Sequence, residues 1–169
     1  MKGHETEMNP ADITGPIAVI FRNHLAYMTR ELKSYGFGWV QFEFLMILYH
    51  HKEGVSQEFL AKRLMVSKAT STRAIQKLEA EGYVSRERDK DDRRAYKVYL
   101  TEKGKAMQEI IWQKLTDWVE ITFSDFTPEE KETFRLMLKK AFYKAHELEV
   151  SSELSDKDKI SCPCDQKSI

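Results

Sequence analysis

Residues 67–88 read SKATSTRAIQKLEAEGYVSRER, and this stretch decides the fold. Ser67 is a favourable N-cap, because its hydroxyl can accept a hydrogen bond from the first helical turn. Ala74, Ile75 and Leu78 share one helical face, so their spacing predicts a helix that is buried on that face and polar on the other. Gly82 follows where a left-handed residue often ends a helix. We therefore predict a helix over residues 67–81, about 22 Å long.

A shorter helix is predicted immediately upstream. Ser56 is a favourable N-cap, and Phe59, Leu60 and Leu64 supply an apolar face. The pattern breaks at residues 65–66, directly before Ser67. Two helices joined by so short a turn are typical of a helix-turn-helix.

Downstream of Gly82 the period changes from 3.6 to 2, which predicts a two-stranded hairpin. One strand alternates Val84, Arg86 and Arg88 against Tyr83, Ser85 and Glu87, and the other alternates Tyr96, Val98 and Leu100 against Lys97 and Tyr99. The connection, Asp89-Lys90-Asp91-Asp92-Arg93-Arg94, has no glycine, proline or apolar residue. It is therefore predicted to be an exposed, charged loop, that is, a wing.

The charge distribution is uneven although the formal net charge is zero. Between Lys62 and Lys97 there are 11 basic and 6 acidic residues, so this segment carries +5 and the rest of the chain −5. A basic segment in a neutral chain gives a positive patch that could bind a polyanion.

The outer face of the 67–81 helix and the wing carry side chains suited to double-stranded DNA. Arginine and glutamine can read base edges in the major groove, and cations on a short loop suit the minor groove. The candidate DNA contacts are Ser67, Lys68, Thr70, Ser71, Thr72, Arg73, Gln76 and Lys77 on the helix, and Arg86, Lys90, Arg93 and Arg94 on the hairpin. The alternative is a solvated helix face on an interaction domain, followed by an ordinary charged hairpin tip with no ligand. One or more of Asp89, Asp91 and Asp92 could also pin an arginine or hold the shape of the hairpin.

Three further amphipathic helices flank this segment, over residues 13–33, 102–124 and 128–148. Thr127-Pro128-Glu129-Glu130 is a strong start signal for the last of them. Their apolar stripes exceed what a small winged domain could cover, which favours a homodimer. The alternative is a monomer that folds these helices into its own bundle.

The motifs resemble the MarR family of transcriptional regulators. The resemblance rests on Val66-Ser67-Lys68-Ala69-Thr70-Ser71-Thr72-Arg73, on Asp92-Arg93-Arg94 in the wing, and on Leu100-Thr101-Glu102-Lys103-Gly104 after it. It is close over residues 55–105 and looser over 13–148. It implies a mainly α winged helix-turn-helix with a two-stranded wing, dimerised through its N- and C-terminal helices. It also implies a sequence-specific regulator, expected to be a repressor, that binds a pseudo-palindromic operator.

Members of this family are commonly controlled by small aromatic or lipophilic effectors or by thiol oxidation. Where the dimerisation helices meet the winged lobe, an apolar effector pocket is predicted from His24, Tyr27, Met28, Trp39, Phe42 and His50. Phe44 and Met46 belong to the same region. For each of these side chains, a place in the core is the alternative.

The sequence divides as follows: a flexible N-terminus over 1–12, a dimerisation helix over 13–38, the winged domain over 39–101, C-terminal dimerisation helices over 102–149 and a disordered tail over 150–169. Cys162 and Cys164 in that tail could form half a metal site, bridge two chains, or be unreactive thiols. We predict no metal and no cofactor.

Other function classes have little support in the sequence. There is no phosphate-binding glycine loop and no nucleophile elbow, so no enzyme activity is expected. No stretch approaches the ~20 apolar residues of a membrane span, and no secretory signal is visible, so we expect a cytoplasmic protein. The rival function is a winged-helix protein–protein interaction module that does not bind DNA.

Overall fold

A computed structural model describes residues 8–88 and 96–153. The predicted wing cations Lys90, Arg93 and Arg94 lie outside the described residues, as do residues 1–7 and the Cys162–Cys164 pair. The fold is mainly α with a small antiparallel sheet, as predicted. The elements in chain order are α1 (Ala11–Glu31), a 3₁₀ turn (Lys33–Tyr35), α2 (Trp39–His50), β1 (Val55–Ser56), α3 (Gln57–Arg63), α4 (Lys68–Ala80), β2 (Val84–Arg88), β3 (Tyr96–Leu100), α5 (Glu102–Thr122) and α6 (Pro128–Glu153).

The chain divides into two compact units, one ending at Trp118 and one beginning at Val119. The core of the first unit is built around α2, whose apolar residues are not confined to one face. Five of its twelve residues are buried, namely Phe42, Phe44, Leu45, Leu48 and Tyr49. They pack with Met28 and Leu32 from the end of α1, with Ile75 and Leu78 from α4, and with Ile111 from α5. A central apolar helix therefore fixes where α4 lies.

The helix-turn-helix predicted from the sequence is present, and its caps are those expected. The Ser56 hydroxyl accepts a hydrogen bond from the Phe59 N–H at 3.0 Å, and the Ser67 hydroxyl accepts one from the Thr70 N–H at 3.1 Å. Gly82, with φ +76°, ends α4 in the left-handed conformation. Each of the two serine hydroxyls thus satisfies one N–H group in the first turn of its helix, which the helix cannot satisfy itself.

The predicted hairpin is also present, but it belongs to a three-stranded sheet in the order β1-β3-β2. Val84 faces Leu100 and Arg88 faces Tyr96 across the hairpin, while Val55 of β1 faces Val98. The sequence predicts Ser56 only as the N-cap of α3 and gives no signal for a strand at residues 55–56. A strand of two residues is too short to show an alternating pattern, so periodicity could not reveal it.

The first residues of α5 bind the turn that follows α4. The Thr101 N–H donates to the carbonyl oxygen of Tyr83 at 3.1 Å, and its hydroxyl donates to that of Gly82 at 2.6 Å. The Lys103 ammonium donates to the carbonyl oxygen of Glu81 at 2.7 Å. Three consecutive carbonyl groups at the end of α4 are therefore bound by the chain that begins α5.

Gly104 allows this close approach. A Cβ atom at this position would overlap the carbonyl group of Tyr83, so only glycine fits without movement of the backbone. The buried hydroxyl of Tyr49 donates to the carbonyl oxygen of Gly104 at 3.0 Å and joins α2 to the same point. Burial raises the pKa of this hydroxyl well above its ordinary value, and the nearby Tyr83 adds to the shift.

The second unit contains the end of α5 and α6. Thr127 and Glu130 form the predicted capping box: the Glu130 carboxylate accepts from the Thr127 N–H at 2.8 Å, and the Thr127 hydroxyl accepts from the Glu130 N–H at 3.2 Å. Phe123, Phe126 and Phe134 pack with ring centroids 5.3–6.0 Å apart. The last helix continues to Glu153, past the boundary at 149 expected from the loss of apolar period. Apolar period reports burial rather than helicity, so it could not locate this end.

In residues 8–88 and 96–153, no helix is both long enough and apolar enough to cross a membrane.

Candidate nucleic-acid interface

The outer face of α4 is an exposed surface of cations and one amide. Lys68, Arg73, Gln76 and Lys77 are all exposed, and the first turn of the helix contains no acidic residue. The positive end of the helix dipole and Lys68 therefore meet at the start of α4. This arrangement is mildly unfavourable within the protein and favourable towards an anion such as a phosphate group.

The hydroxyl side chains of Ser67, Thr70 and Thr72 differ in their contacts. Ser67 and Thr70 lie together at the start of α4, with their hydroxyl oxygens 2.9 Å apart. Thr72 is half-buried, and its hydroxyl oxygen accepts a hydrogen bond from the side-chain amide of Gln57 on α3 at 2.6 Å. Thr72 therefore braces α3 against α4 as well as bordering the outer face.

Ser71 cannot contact DNA directly in this arrangement, which corrects its place among the candidate contacts. The residue is fully buried, and its hydroxyl donates to the carbonyl oxygen of Gln57 at 3.5 Å. The reason is helical geometry: Ser71 lies three, four and seven residues before Ala74, Ile75 and Leu78. That spacing in the sequence already placed it on the buried face.

Arg86 on β2 is half-buried and forms an ion pair with Glu79 on α4. Its Nε donates to the carboxylate at 2.8 Å, and its Nη2 lies 2.6 Å from the same oxygen. The guanidinium groups of Arg86 and Arg88 also lie about 6 Å from the centre of the Tyr96 ring, at 5.9 and 6.0 Å. The hairpin therefore carries an arginine–aromatic cluster towards its loop end, and Arg86 attaches this cluster to α4.

Two residues of this cluster were missed by the sequence analysis as candidate contacts. Arg88 is exposed at the end of β2, and Tyr96 is exposed at the start of β3. The signal for Arg88 was available, since it shares a strand face with Arg86 two residues earlier. The sequence did not indicate that Tyr96 lies beside these arginines, because its partner across the hairpin depends on the register of the two strands.

The residues predicted for an effector pocket are only partly brought together. His24 of α1 lies with its ring centroid 6.2 Å from that of Phe42 and 5.5 Å from that of Trp118 on α5, and Tyr27 lies 5.3 Å from Trp118. Burial lowers the pKa of His24, which favours a neutral ring. Trp118 was missed, because only the packing of α5 on α1 reveals its position.

The other predicted pocket residues lie elsewhere. Met28 and Phe42 are buried in the core, as the alternative interpretation expected. Trp39 and His50 stand at opposite ends of α2, about 16 Å apart along the helix axis, so one small molecule does not contact all six residues. The Nε2 atom of His50 is buried and has no hydrogen-bond partner in the described part of the chain.

Comparison with known proteins gives the same family from sequence and from structure. Residues 37–96 match the model of the MarR family. The HTH-type transcriptional regulator YybA of Bacillus subtilis (strain 168) is 32% identical over 127 residues, which cover 75% of this chain and 84% of YybA. The HTH-type transcriptional repressor YetL of the same organism is 34% identical over 99 residues, covering 58% of this chain and 59% of YetL.

The solved structures agree. The crystal structure of a MarR transcriptional regulator from Methanosarcina mazei Go1 superimposes with a TM-score of 0.74 at 39% identity, covering 81% of this chain and 98% of that one. These matches confirm the MarR family, which the sequence predicts from the helix-turn-helix, the wing motif and the residues after it. The chain belongs to the MarR family of winged helix-turn-helix transcriptional regulators.

Proposed function

We propose that this protein binds an operator duplex as a homodimer, with α4 of each protomer in the major groove, and represses transcription from it in the cytoplasm. The observation that carries the proposal is the outer face of α4, where Lys68, Arg73, Gln76 and Lys77 are all exposed. The opposite face of α4 is locked into the core by Ile75 and Leu78. A rigid helix whose first turn contains a lysine and no acidic residue has the properties that insertion into a major groove requires.

The homodimer is supported by apolar surface that one protomer leaves uncovered. In α1 the side chains of Ile13, Ile17, Ile20 and Phe21 are between 37% and 55% exposed. Further exposed apolar side chains lie on α5 and α6: Trp112, Val119, Ile121, Met137 and Leu138. Apolar surface on this scale usually marks a protein–protein interface. We therefore propose that α1, α5 and α6 of two protomers pack together.

A dimer of this kind constrains the operator. Its two α4 helices are related by a two-fold axis, so the operator should be a pseudo-palindrome. Its half-sites should be about one helical turn apart, roughly 34–36 Å from centre to centre, because both helices must enter the same face of the duplex. The wing arginines Arg93 and Arg94, together with Lys90, are proposed to contact the minor groove beside each half-site.

Repression and its release by a small molecule complete the proposal. YetL, a relative at 34% identity, is named a repressor, which favours repression for this chain. The rings of His24, Tyr27 and Trp118 offer an apolar contact surface for an aromatic effector. The distance between the two winged lobes of the dimer must match the distance between the half-sites of the operator. An effector would weaken DNA binding only to the extent that it binds more tightly to a dimer whose lobes are at a different distance.

The decisive experiment is selection of bound duplexes from a random pool, followed by fluorescence anisotropy on the selected duplex across a salt series. Arg73→Ala and Lys77→Ala should each weaken binding, and a lost phosphate contact should flatten the salt slope by about one unit. Lys105→Ala, an exposed lysine on α5, is the charge-matched control and should change neither quantity. Failure to select any duplex would favour the protein–protein interaction module instead.

Effector action has its own test on the same duplex. Thermodynamic linkage requires that the operator weakens effector binding by the same factor by which the effector weakens operator binding. A melting-temperature screen of small aromatic acids and amines identifies a ligand, and its affinity is then measured with and without saturating operator. Equal affinity under both conditions would contradict release by a change of lobe spacing.

A further inference from the structure

The turn between α3 and α4 contains a methionine in a conformation that normally belongs to glycine. Met65 has φ +49°, and in the described residues it is the only non-glycine residue with positive φ. Its N–H donates to the carbonyl oxygen of Lys62 at 3.0 Å, and the next N–H, of Val66, donates to that of Ala61 at 3.0 Å. This pair of bonds is the Schellman motif, which fixes the residue after the helix in the left-handed region.

The end of α4 has the same motif with the usual residue. The Gly82 N–H donates to the carbonyl oxygen of Glu79 at 2.9 Å, and the Tyr83 N–H donates to that of Leu78 at 2.8 Å. Glycine occupies this conformation without steric cost, whereas a residue with a Cβ atom is strained there. The chain therefore uses glycine after α4 and keeps a strained methionine at the equivalent position after α3.

The Met65 side chain does not compensate for this strain within the protomer. It is 89% exposed, the largest value among the exposed large hydrophobic side chains of the described residues. A strained backbone and an exposed apolar side chain at one position suggest a role outside the folded core.

The position of Met65 indicates its partner. It borders an open groove of about 690 Å³ together with Lys62, Lys68 and Tyr96. Lys68 opens α4 and Tyr96 belongs to the arginine–aromatic cluster of the hairpin, so the groove lies between the two proposed DNA-binding elements. The start of the second helix of a helix-turn-helix contacts base edges in the major groove, and Met65 lies two residues before the Ser67 cap.

We propose that Met65 is a specificity-determining DNA contact, whose thioether side chain packs against the C5 methyl group of a thymine in each half-site. The inference rests on the proposed operator binding. The thymine methyl is the apolar group that the major-groove edge displays, and methionine is flexible and polarisable enough to fit it without a hydrogen bond. The left-handed backbone holds the side chain outward for this contact.

Three substitutions separate this role from a structural one. Met65→Gly removes the strain and the side chain, so the free energy of unfolding should stay equal or rise while operator affinity falls at least about fourfold, the worth of one buried methylene-sized group. Met65→Asn, which tolerates the left-handed region but is polar, should also lose affinity. Met65→Leu retains an apolar side chain and should bind within about twofold of the parent. A Met65→Gly protein with parental affinity would overturn the proposal.

A thymine scan of the selected operator identifies the base. Each thymine of a half-site is replaced by deoxyuridine, which removes only the methyl group. At one position the parent should lose about fourfold in affinity, while Met65→Gly should lose nothing further. If no thymine shows this coupling, the methyl contact is wrong. If the parent binds no selected duplex at all, the proposed function fails first, and this failure is distinct from that of Met65 alone.

Discussion

Glu79 and Arg86 tie α4 to β2, with two arginine nitrogens, Nε at 2.8 Å and Nη2 at 2.6 Å, on one carboxylate oxygen. Both side chains are about one-third exposed, at 35% and 28%. An arginine held in this way within the protomer is already paired before DNA arrives. We therefore expect Arg86 to support DNA binding by orienting β2 relative to α4, and not by contacting a phosphate group.

Glu79→Gln and Arg86→Gln test this orientation role. Each should weaken operator binding modestly by loosening β2 from α4, and Arg86→Gln should leave the salt slope unchanged because no phosphate contact is lost. A double-mutant cycle by urea unfolding should give a coupling of about 0.5–1 kcal/mol, the range for partly exposed ion pairs. A salt slope reduced by about one unit in Arg86→Gln, with Glu79→Gln binding normally, would instead indicate a direct phosphate contact.

Gly104→Ala should destabilise the protein, although alanine is the better helix former by about 1 kcal/mol. The added Cβ would overlap the backbone of Tyr83, so the start of α5 must move, at an expected cost of about 1–3 kcal/mol. Chemical unfolding measures the effect. Lys105→Ala, the exposed neighbour on α5, should stay within about 0.5 kcal/mol of the parent. A Gly104→Ala protein more stable than the parent would show that the two segments separate easily.

Tyr49→Phe removes the hydrogen bond to the carbonyl group of Gly104 and should cost about 0.5–1.5 kcal/mol, the net contribution of one hydrogen bond, because a carbonyl group within α5 also accepts a hydrogen bond from its own helix. The same hydroxyl should resist ionisation, since its pKa is raised by burial. A raised phenol pKa stabilises the fold fully below pH ~10, and this contribution is lost as the pH rises above it. Burial also raises the pKa of Tyr27, so ultraviolet difference titration of the parent should show late-ionising tyrosines, and Tyr49→Phe should lose the part of this signal that appears last.

Glu43→Gln should stabilise the protein at pH 7 and have little effect near pH 4. Burial raises the pKa of the Glu43 carboxyl, and the positive charge of Arg63 opposes this only in part. The folded state therefore favours the protonated acid, and stability falls as the pH rises from the unfolded value of ~4.3 through the folded pKa. Glutamine resembles the protonated acid and removes this fall. Thermal melts at both pH values check the sign, and an equal effect at both would contradict it.

The proposed dimer distinguishes two leucines of α6 that are equally exposed, Leu136 at 52% and Leu138 at 53%. Leu138 lies on the helix face of Phe134 and Met137, whereas Leu136 is about 160° away from Leu138 around the helix. Leu138→Asp should shift the protein to monomers in sedimentation equilibrium, and Leu136→Asp should leave the dimer intact. The opposite result would place the interface on the other face of α6.

Most of the fold could be predicted because its signals are local. Ser56, Ser67 and Thr127 each act as the cap that the sequence indicated, and Gly82 ends α4. The two-residue β1 could not be predicted, because its partner Val98 is more than forty residues away and its own length is too short for a pattern. Local patterns thus reveal element starts and ends but not a pairing set by tertiary packing.

The site was less predictable than the fold. Ser71 was assigned outward by its hydroxyl chemistry, although helical spacing with Leu78 points it inward. Arg86 carries the charge expected of a DNA contact, yet its partner Glu79 is set by the distance between α4 and β2, which no spacing rule supplies. Trp118 joined His24 only through the packing of α5 on α1. Residue type indicates what a side chain can bind, and tertiary packing decides whether it is free to do so.

The bonds from Thr101 and Lys103 fix the turn after α4 to the start of α5, so a tilt of α5 would rotate α4 and the core around it as one body, with this turn as the pivot. The thirteen residues of α4 put its leading end about 20 Å from the pivot. A tilt of α5 by about 10° would therefore sweep Ser67 through about 3.5 Å, close to the rise of one base pair, ~3.4 Å. Small rotations among the proposed dimerisation helices would then be enough to put α4 one base step out of register with a proposed half-site.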